Sequence, residues 1–98
     1  MSTSEDILAE LLTNKDRKAL AVWAADCAEH VLPFFERKHP QDDRPRKAIE
    51  AARAYARGEM RVGAARQASL AAHAAARDCD DDEASAAARA AGHAAATA

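Results

Sequence analysis

The sequence has few of the residues that interrupt helices or build sheets. Its 98 residues include three glycines, three prolines and only four aromatic side chains. Alanine, glutamate, arginine and leucine are abundant instead, and these residues favour helix over strand. The composition therefore predicts an all-α fold and excludes one built mainly on sheets.

Cysteines and long apolar runs are equally scarce. Cys27 and Cys79 are far apart and form no CxxC pair, which excludes the paired-cysteine zinc and redox motifs. The N-terminus lacks the charged and apolar regions of a secretory signal, and no apolar run has the length needed to cross a bilayer. We therefore expect a cytoplasmic protein with free thiols and no membrane partner.

The sequence also lacks the signatures of catalysis and of nucleic-acid binding. It has no glycine-rich phosphate loop, no GxSxG elbow and no HExxH pair. Fourteen basic and sixteen acidic residues give a net charge of −2, which provides no strong field for nucleic acid. Asp26 and His30, four residues apart, have the spacing of a dyad, but such pairs are more often surface salt bridges. We expect neither an enzyme nor a cofactor.

Apolar periodicity predicts one domain over residues 1–98, a compact bundle of about five helices with an alanine-rich C-terminal pair. Gly58 suits the end of the third helix, and the acidic residues before the fifth suit its N-terminus. The fifth helix has no stop signal before Ala98. The predicted helices cover about Glu5–Leu12, Lys15–Lys38, Pro45–Arg57, Met60–Arg77 and the residues from Asp82 onward.

The second predicted helix shows the strongest apolar pattern. Its large apolar residues recur at steps of three and four, so they share one face, which we predict to be buried. Ala24, Ala28, Leu32 and Phe35 widen this face, and Pro33 on the opposite side predicts a bend. The predicted inner face carries Leu20, Trp23, Cys27, Val31 and Phe34.

Several residues have the chemistry of metal ligands, but their spacing is weak. Cys27 and His30 are three residues apart, and zinc would need further ligands from His73, Cys79 or His93. A buried free cysteine is the more common role for a position such as Cys27. The acidic run 80–83 lacks the alternating ligands of a calcium loop and is expected to cap a helix. No metal site is therefore predicted.

Two groups of residues are candidates for binding a partner. Arg46, Arg53 and Arg57 form an outward stripe that could contact an acidic partner, or could equally be a solvated face paired with Glu50. A second group consists of small residues that recur every four positions and let another backbone approach closely. We predict that they pack against earlier helices or against a second chain, as in a homodimer through the last two helices. This group is Ala84, Ala88, Gly92 and Ala96.

Four segments resemble a bacterial family of immunity proteins of the immunity-five-like kind. The two more specific segments are RKALAVWAADCAEHVLP at residues 17–33 and DRPRKAIEAARAYARG at residues 43–58. The alanine-rich segments AAHAAAR at 71–77 and AAGHAAATA at 90–98 resemble later blocks of the family.

The resemblance implies a function and a difference in length. It implies a protein that binds and neutralises a cognate bacterial toxin, and it supplies no catalytic residue. Family members continue past the position of Ala98 into further helical sequence. Two expectations stay open: the chain is a shortened member, or a partner covers what the extra helix would have covered.

Overall fold

A computed structural model describes residues 14–98, and this part of the chain is all-α as predicted. The first predicted helix, Glu5–Leu12, lies outside the described residues, which contain the other four. Among these four, none is long and apolar enough to cross a membrane. The helices are α1 (Asn14–Glu36), α2 (Arg44–Ala56), α3 (Val62–Arg77) and α4 (Asp82–Ala96).

The ends of the helices follow local sequence signals. Pro45 lies in the first turn of α2, where its fixed φ and missing N–H are tolerated. Gly58 adopts a positive φ of 77° just after α2, as its predicted capping role requires. The carboxylate of Asp81 accepts a hydrogen bond from the backbone N–H of Ala84 at 2.8 Å, which caps α4. These three predictions are confirmed.

Two of the helices hold the bundle together. Each of α2 and α4 contacts all the other helices, whereas α1 and α3 make no contact with each other within residues 14–98. An ion pair of 3.3 Å joins Lys38, just after α1, to Asp81 at the start of α4. The end of α1 therefore lies beside the beginning of α4, and the two helices run antiparallel.

The core consists mostly of alanine. Within the described part of the chain, Phe35, Leu32, Ile49 and Pro45 are the largest fully buried side chains, and sixteen of the twenty buried hydrophobic residues are alanines. Burial contributes roughly 0.8 kcal/mol per CH₂, so each alanine contributes little by itself. Small side chains instead allow the helix backbones to approach closely. One result is a 2.8 Å hydrogen bond from the Ser69 hydroxyl of α3 to the carbonyl oxygen of Gly92 in α4.

The predicted inner face of α1 is wrong in its main row, whereas Ala28, Leu32 and Phe35, which were predicted to widen it, are completely buried. Leu20, Trp23 and Phe34 are exposed, Cys27 is exposed, and only Val31 is half-buried. Leu32 and Phe35 supply the large side chains of the buried face, and the alanines beside them pack closely in the cluster that includes α4. The helix continues through the exposed Pro33 to Glu36 without a break. The residues that α1 buries are Ala21, Ala25, Ala28, Leu32 and Phe35.

Candidate functional site

The exposed apolar face of α1 is the most distinctive surface of the described chain. Five side chains at steps of three and four run along it: Leu20, Trp23, Cys27, Val31 and Phe34. We call these five residues the α1 strip. Trp23, the only tryptophan, is 66% exposed, Leu20 43% and Phe34 41%. An exposed, continuous row of large apolar side chains is typical of a surface that binds another molecule.

A groove lies between the C-terminal half of the α1 strip and α4. Val31 and Phe34 form one wall, and Ala86, Ala87 and Ala90 form the other. The space is about 410 Å³ and is almost entirely apolar apart from Glu83 at its end. The α4 wall carries only alanine side chains between Glu83 and Ala90. The groove is therefore wide enough to receive one large apolar side chain.

A basic side chain borders the same end of the strip. The guanidinium carbon of Arg37 lies 5.3 Å from the centre of the Phe34 ring, a cation–π arrangement. This contact holds Phe34 at the edge of the groove while leaving 41% of it exposed. The strip thus has an apolar centre with charged residues at its margin, the usual anatomy of a protein-binding patch.

The arginines predicted to contact a partner are held by carboxylates of α1. Arg53 donates hydrogen bonds to Glu29 at 2.8 Å and to Asp26 at 3.1 Å. Arg46 donates to Glu36 at 2.8 Å and lies 3.5 Å from Glu29. The hydrogen bond and the charge of Arg53 lower the pKa of Glu29 below its ordinary value.

These ion pairs change the interpretation of the outward stripe Arg46, Arg53 and Arg57, which we call the α2 stripe. One of the two alternatives left open by the sequence was a solvated face in which Arg46 and Arg53 pair with Glu50 of the same helix. In the structure their ion pairs cross to α1. Arg57 pairs with Glu59 at 2.9 Å and stays exposed. The Asp26 carboxylate, whose spacing from His30 was interpreted as that of a surface pair, accepts a hydrogen bond from Arg53.

The strip of small residues on α4 faces the interior of the bundle. Ala84 and Ala88 are completely buried, Gly92 is buried, and only Ala96 is exposed. These residues pack against helices of the same chain, which was one of the two predicted alternatives. The other alternative, a homodimer through this strip, is not supported. Ala84, Ala88 and Gly92 are buried within their own chain, so a second chain has no access to them.

The predicted metal ligands are only partly brought together. The His73 and His93 rings meet edge to face, with their centres 5.0 Å apart. Cys27 and His30 are exposed on α1, and the Cys79 thiol donates to the carbonyl oxygen of Ala75 at 3.2 Å. Burial, followed by nearby carboxylates, raises the pKa of Cys79. Across residues 14–98, no three or more histidine, cysteine or acidic residues are grouped to hold a metal ion.

Sequence reasoning found the residues of the α1 strip but placed them in the core. The signal that could have corrected this is the second row of α1, in which Ala21, Ala25, Ala28, Leu32 and Phe35 recur with the same helical period. Side-chain size favoured the first row, and no local feature of α1 reveals that its neighbours are made of alanine.

Comparison with known proteins supports one family. The family model described as "Imm-5 like putative immunity protein" matches residues 10–98. No curated protein matches the chain, and no solved structure does. The matched range covers all four helices and most of the sequence. The chain therefore belongs to the Imm-5 like family of immunity proteins.

Proposed function

We propose that this chain is a non-enzymatic protein that binds and neutralises a cognate bacterial toxin, and that the α1 strip is its contact surface. Membership of the immunity family supports a toxin as the partner. The exposed strip around Trp23 is the observation that supports this surface. Both cysteines are free, which suits the reducing cytoplasm that we propose as its location.

The composition of the strip favours a protein partner over a small ligand. Tryptophan is among the residues that most often dominate binding energy at protein interfaces, especially near the centre of the contact. Trp23 lies in the first half of the strip, and the groove beside Phe34 lies at its other end. A partner helix or loop could therefore cover Trp23 while it inserts one side chain into the groove.

The α2 stripe is a weaker candidate for the same role. Arg46 and Arg53 already donate to three carboxylates of α1. A partner that recruited either guanidinium would have to compete with these charge-assisted hydrogen bonds. No such competition arises at the α1 strip, where the large side chains face outward.

A rescue experiment tests the proposal. The toxin encoded by the gene beside this one is expressed in bacteria with the wild-type chain, with Trp23→Glu or with Leu70→Glu. Leu70 is a matched control because it is equally apolar and 63% exposed, but lies on α3. We expect wild type and Leu70→Glu to restore growth and to bind the purified toxin, and Trp23→Glu to fail in both assays.

Two results would contradict this proposal. Failure of the wild-type chain to bind or to rescue against the neighbouring toxin would remove the toxin-neutralising function. Full rescue by Trp23→Glu would remove the α1 strip as the contact surface. Circular dichroism and thermal unfolding of each variant establish that any lost rescue does not come from lost folding.

A further inference from the structure

We infer that the outer face of α3 and α4 carries a binding site for a doubly charged tetrahedral oxyanion of the phosphate class. This inference does not rest on the proposed function, and the surface shares no residue with the α1 strip. The site consists of one histidine and one arginine from each helix. We call these residues the basic cluster: His73, Arg77, Arg89 and His93.

Contacts between the two helices give the relative positions of the four side chains. The hydroxyl of Ser85, near the start of α4, donates to a carbonyl oxygen near the end of α3 at 3.1 Å, so the helices run antiparallel. The centres of the His73 and His93 rings lie 5.0 Å apart, which places both imidazoles at one level. Arg77 follows His73 by one helical turn, about 6 Å. Arg89 precedes His93 by the same distance, so the two arginines share the next level.

The two arginines of the basic cluster are not neutralised within residues 14–98. Neither Arg77 nor Arg89 forms an ion pair there, and Asp78, which follows Arg77, pairs with Arg44 instead. No acidic residue of the same helix lies three or four positions from either arginine. Asp82, on the same side of α4, is seven residues before Arg89, about 10 Å along the helix. Both exposed guanidinium groups are therefore available to an anion from solvent.

The electrostatics around His73 show how close the charges of the cluster are. Burial lowers the pKa of His73, and the positive charges of His93, Arg77 and Arg89 lower it further. All the charged groups that act on this imidazole are basic, and they come from both helices. A bound dianion would have the opposite effect, because it favours the protonated imidazole.

The cluster suits a phosphate-class anion better than a metal ion. Two imidazoles could begin a zinc site, but zinc needs further protein ligands, and none is grouped with them in the described residues. Two adjacent guanidinium groups also repel a cation. Their two permanent charges match a phosphoryl group, which carries about −1.5 to −2 near neutral pH. Guanidinium forks bind phosphate oxygens in pairs, and imidazole N–H groups donate to the oxygens that remain.

Titration of the whole chain with sodium sulfate tests the site without any toxin. Sulfate keeps both charges between pH 7.5 and 5.5, so any pH dependence of binding comes from the protein. In NMR spectra, the ring signals of His73 and His93 should shift and saturate, relative to sodium chloride at the same ionic strength. His30 and His39 are internal controls whose signals should not shift, because each lies near a carboxylate.

Arg89→Gln removes one guanidinium from the cluster. Loss of one charge-assisted hydrogen bond should weaken sulfate binding by about tenfold or more. Arg61→Gln is the matched control, since it removes the same charge from an exposed position just before α3, about 24 Å along that helix from Arg77. This control should bind sulfate like wild type. Thermal unfolding without sulfate establishes that both variants are folded.

Binding should also depend on pH. The affinity for sulfate should rise several-fold as the pH falls from 7.5 to 5.5, because His73 takes up a proton when the dianion binds. His73→Gln should reduce this dependence. Inorganic phosphate and glycerol 2-phosphate distinguish two sources of the ligand: binding of both indicates recognition of any phosphoryl group, and binding of inorganic phosphate alone indicates the free ion.

Three results would overturn the proposal. Equal shifts of all four histidines would indicate a general effect of salt. Equal weakening by Arg89→Gln and Arg61→Gln would show that net charge, and not the basic cluster, attracts the anion. Signals of His73 and His93 that do not change with sulfate or phosphate would show that no anion binds beside them.

Discussion

The imidazole of His73 on α3 lies directly against Gly92 on α4, in space that any other residue at position 92 would occupy. A Cβ atom on Gly92 would come within 2.8 Å of His73 Nε2 and 2.9 Å of its Cε1. The Ser69 hydroxyl, one turn before His73, donates to the Gly92 carbonyl oxygen at 2.8 Å. These contacts join α3 and α4 at Gly92.

Gly92→Ala is expected to destabilise the protein, although alanine normally stabilises a helix relative to glycine. The added Cβ forces the His73 ring to move, and overpacking of this kind typically costs about 1–3 kcal/mol. This exceeds the roughly 0.5–1 kcal/mol that alanine contributes through helix propensity. Chemical unfolding should therefore show a net loss of up to about 2 kcal/mol.

Gly63→Ala is the matched control for that substitution. Gly63 lies on the exposed side of α3, and a Cβ there would have no neighbour within 4 Å. This variant should gain stability, while the double variant His73→Ala, Gly92→Ala should lose less than the sum of its single changes. Equal changes in the free energy of unfolding for Gly92→Ala and Gly63→Ala would show that the contact with His73 does not affect stability.

The stability of the fold is expected to decrease as the pH falls below about 6.5. Burial lowers the pKa of His73 below its ordinary value of 6.5, and the positive charges of His93, Arg77 and Arg89 lower it further. The unfolded chain therefore binds this proton at a higher pH than the folded chain does. The free energy of unfolding falls from pH 6.5 down to the lower pKa of the folded state, and the His73 effect then levels off.

A histidine variant separates this effect from acid denaturation in general. His73→Gln keeps a polar side chain of similar reach but has no titrating ring. Its melting temperature should change less than that of wild type between pH 7.5 and 5.5. The carboxylates with lowered pKa, such as Asp42 beside Arg44, act in a separate window below about pH 4. An identical pH profile for both proteins would contradict the role of His73.

Two leucines of α1 should respond very differently to truncation. Leu32 is completely buried, so Leu32→Ala is expected to lower the free energy of unfolding by about 2–5 kcal/mol. Leu20 is 43% exposed, and Leu20→Ala should change stability by no more than about 0.5 kcal/mol in a dilute, monomeric sample. If Leu20→Ala destabilised the protein more than Leu32→Ala, Leu20 would belong to the buried face of α1, as the sequence predicted.

The pairing of α1 with α2 should depend on one arginine. Arg53→Ala removes hydrogen bonds to both Glu29 and Asp26, and it should lower the melting temperature by less than Gly92→Ala does, because the pairs are partly exposed. Arg53→Lys keeps the charge but loses the fork that reaches two carboxylates. High salt should reduce the difference between wild type and Arg53→Ala. A difference that is unaffected by salt would point to lost packing instead.

Local signals in the sequence were sufficient for the positions of the helices. Pro45, Gly58 and Asp81 act within a few residues of where they stand, so the ends they predict agree with the structure to within about two residues. Part of the inner face of α2 was also predictable, because Ile49, Ala52 and Tyr55 recur at steps of three, and they are buried together with Ala48 and Ala51. The metal and partner residues were not, since they depend on which helices meet.

The sequence by itself determined an all-α chain, the limits of its helices and its family. Only the tertiary structure decided which side of α1 is buried. Hydrophobicity ranks Leu20 and Trp23 above Ala21 and Ala25, but that ranking considers one helix alone. The core that α1 shares with the alanines of α4 takes Leu32 and Phe35 together with the small side chains Ala25 and Ala28. Leu20, Trp23 and Phe34 are left outside, where they belong to the surface through which we expect this protein to act.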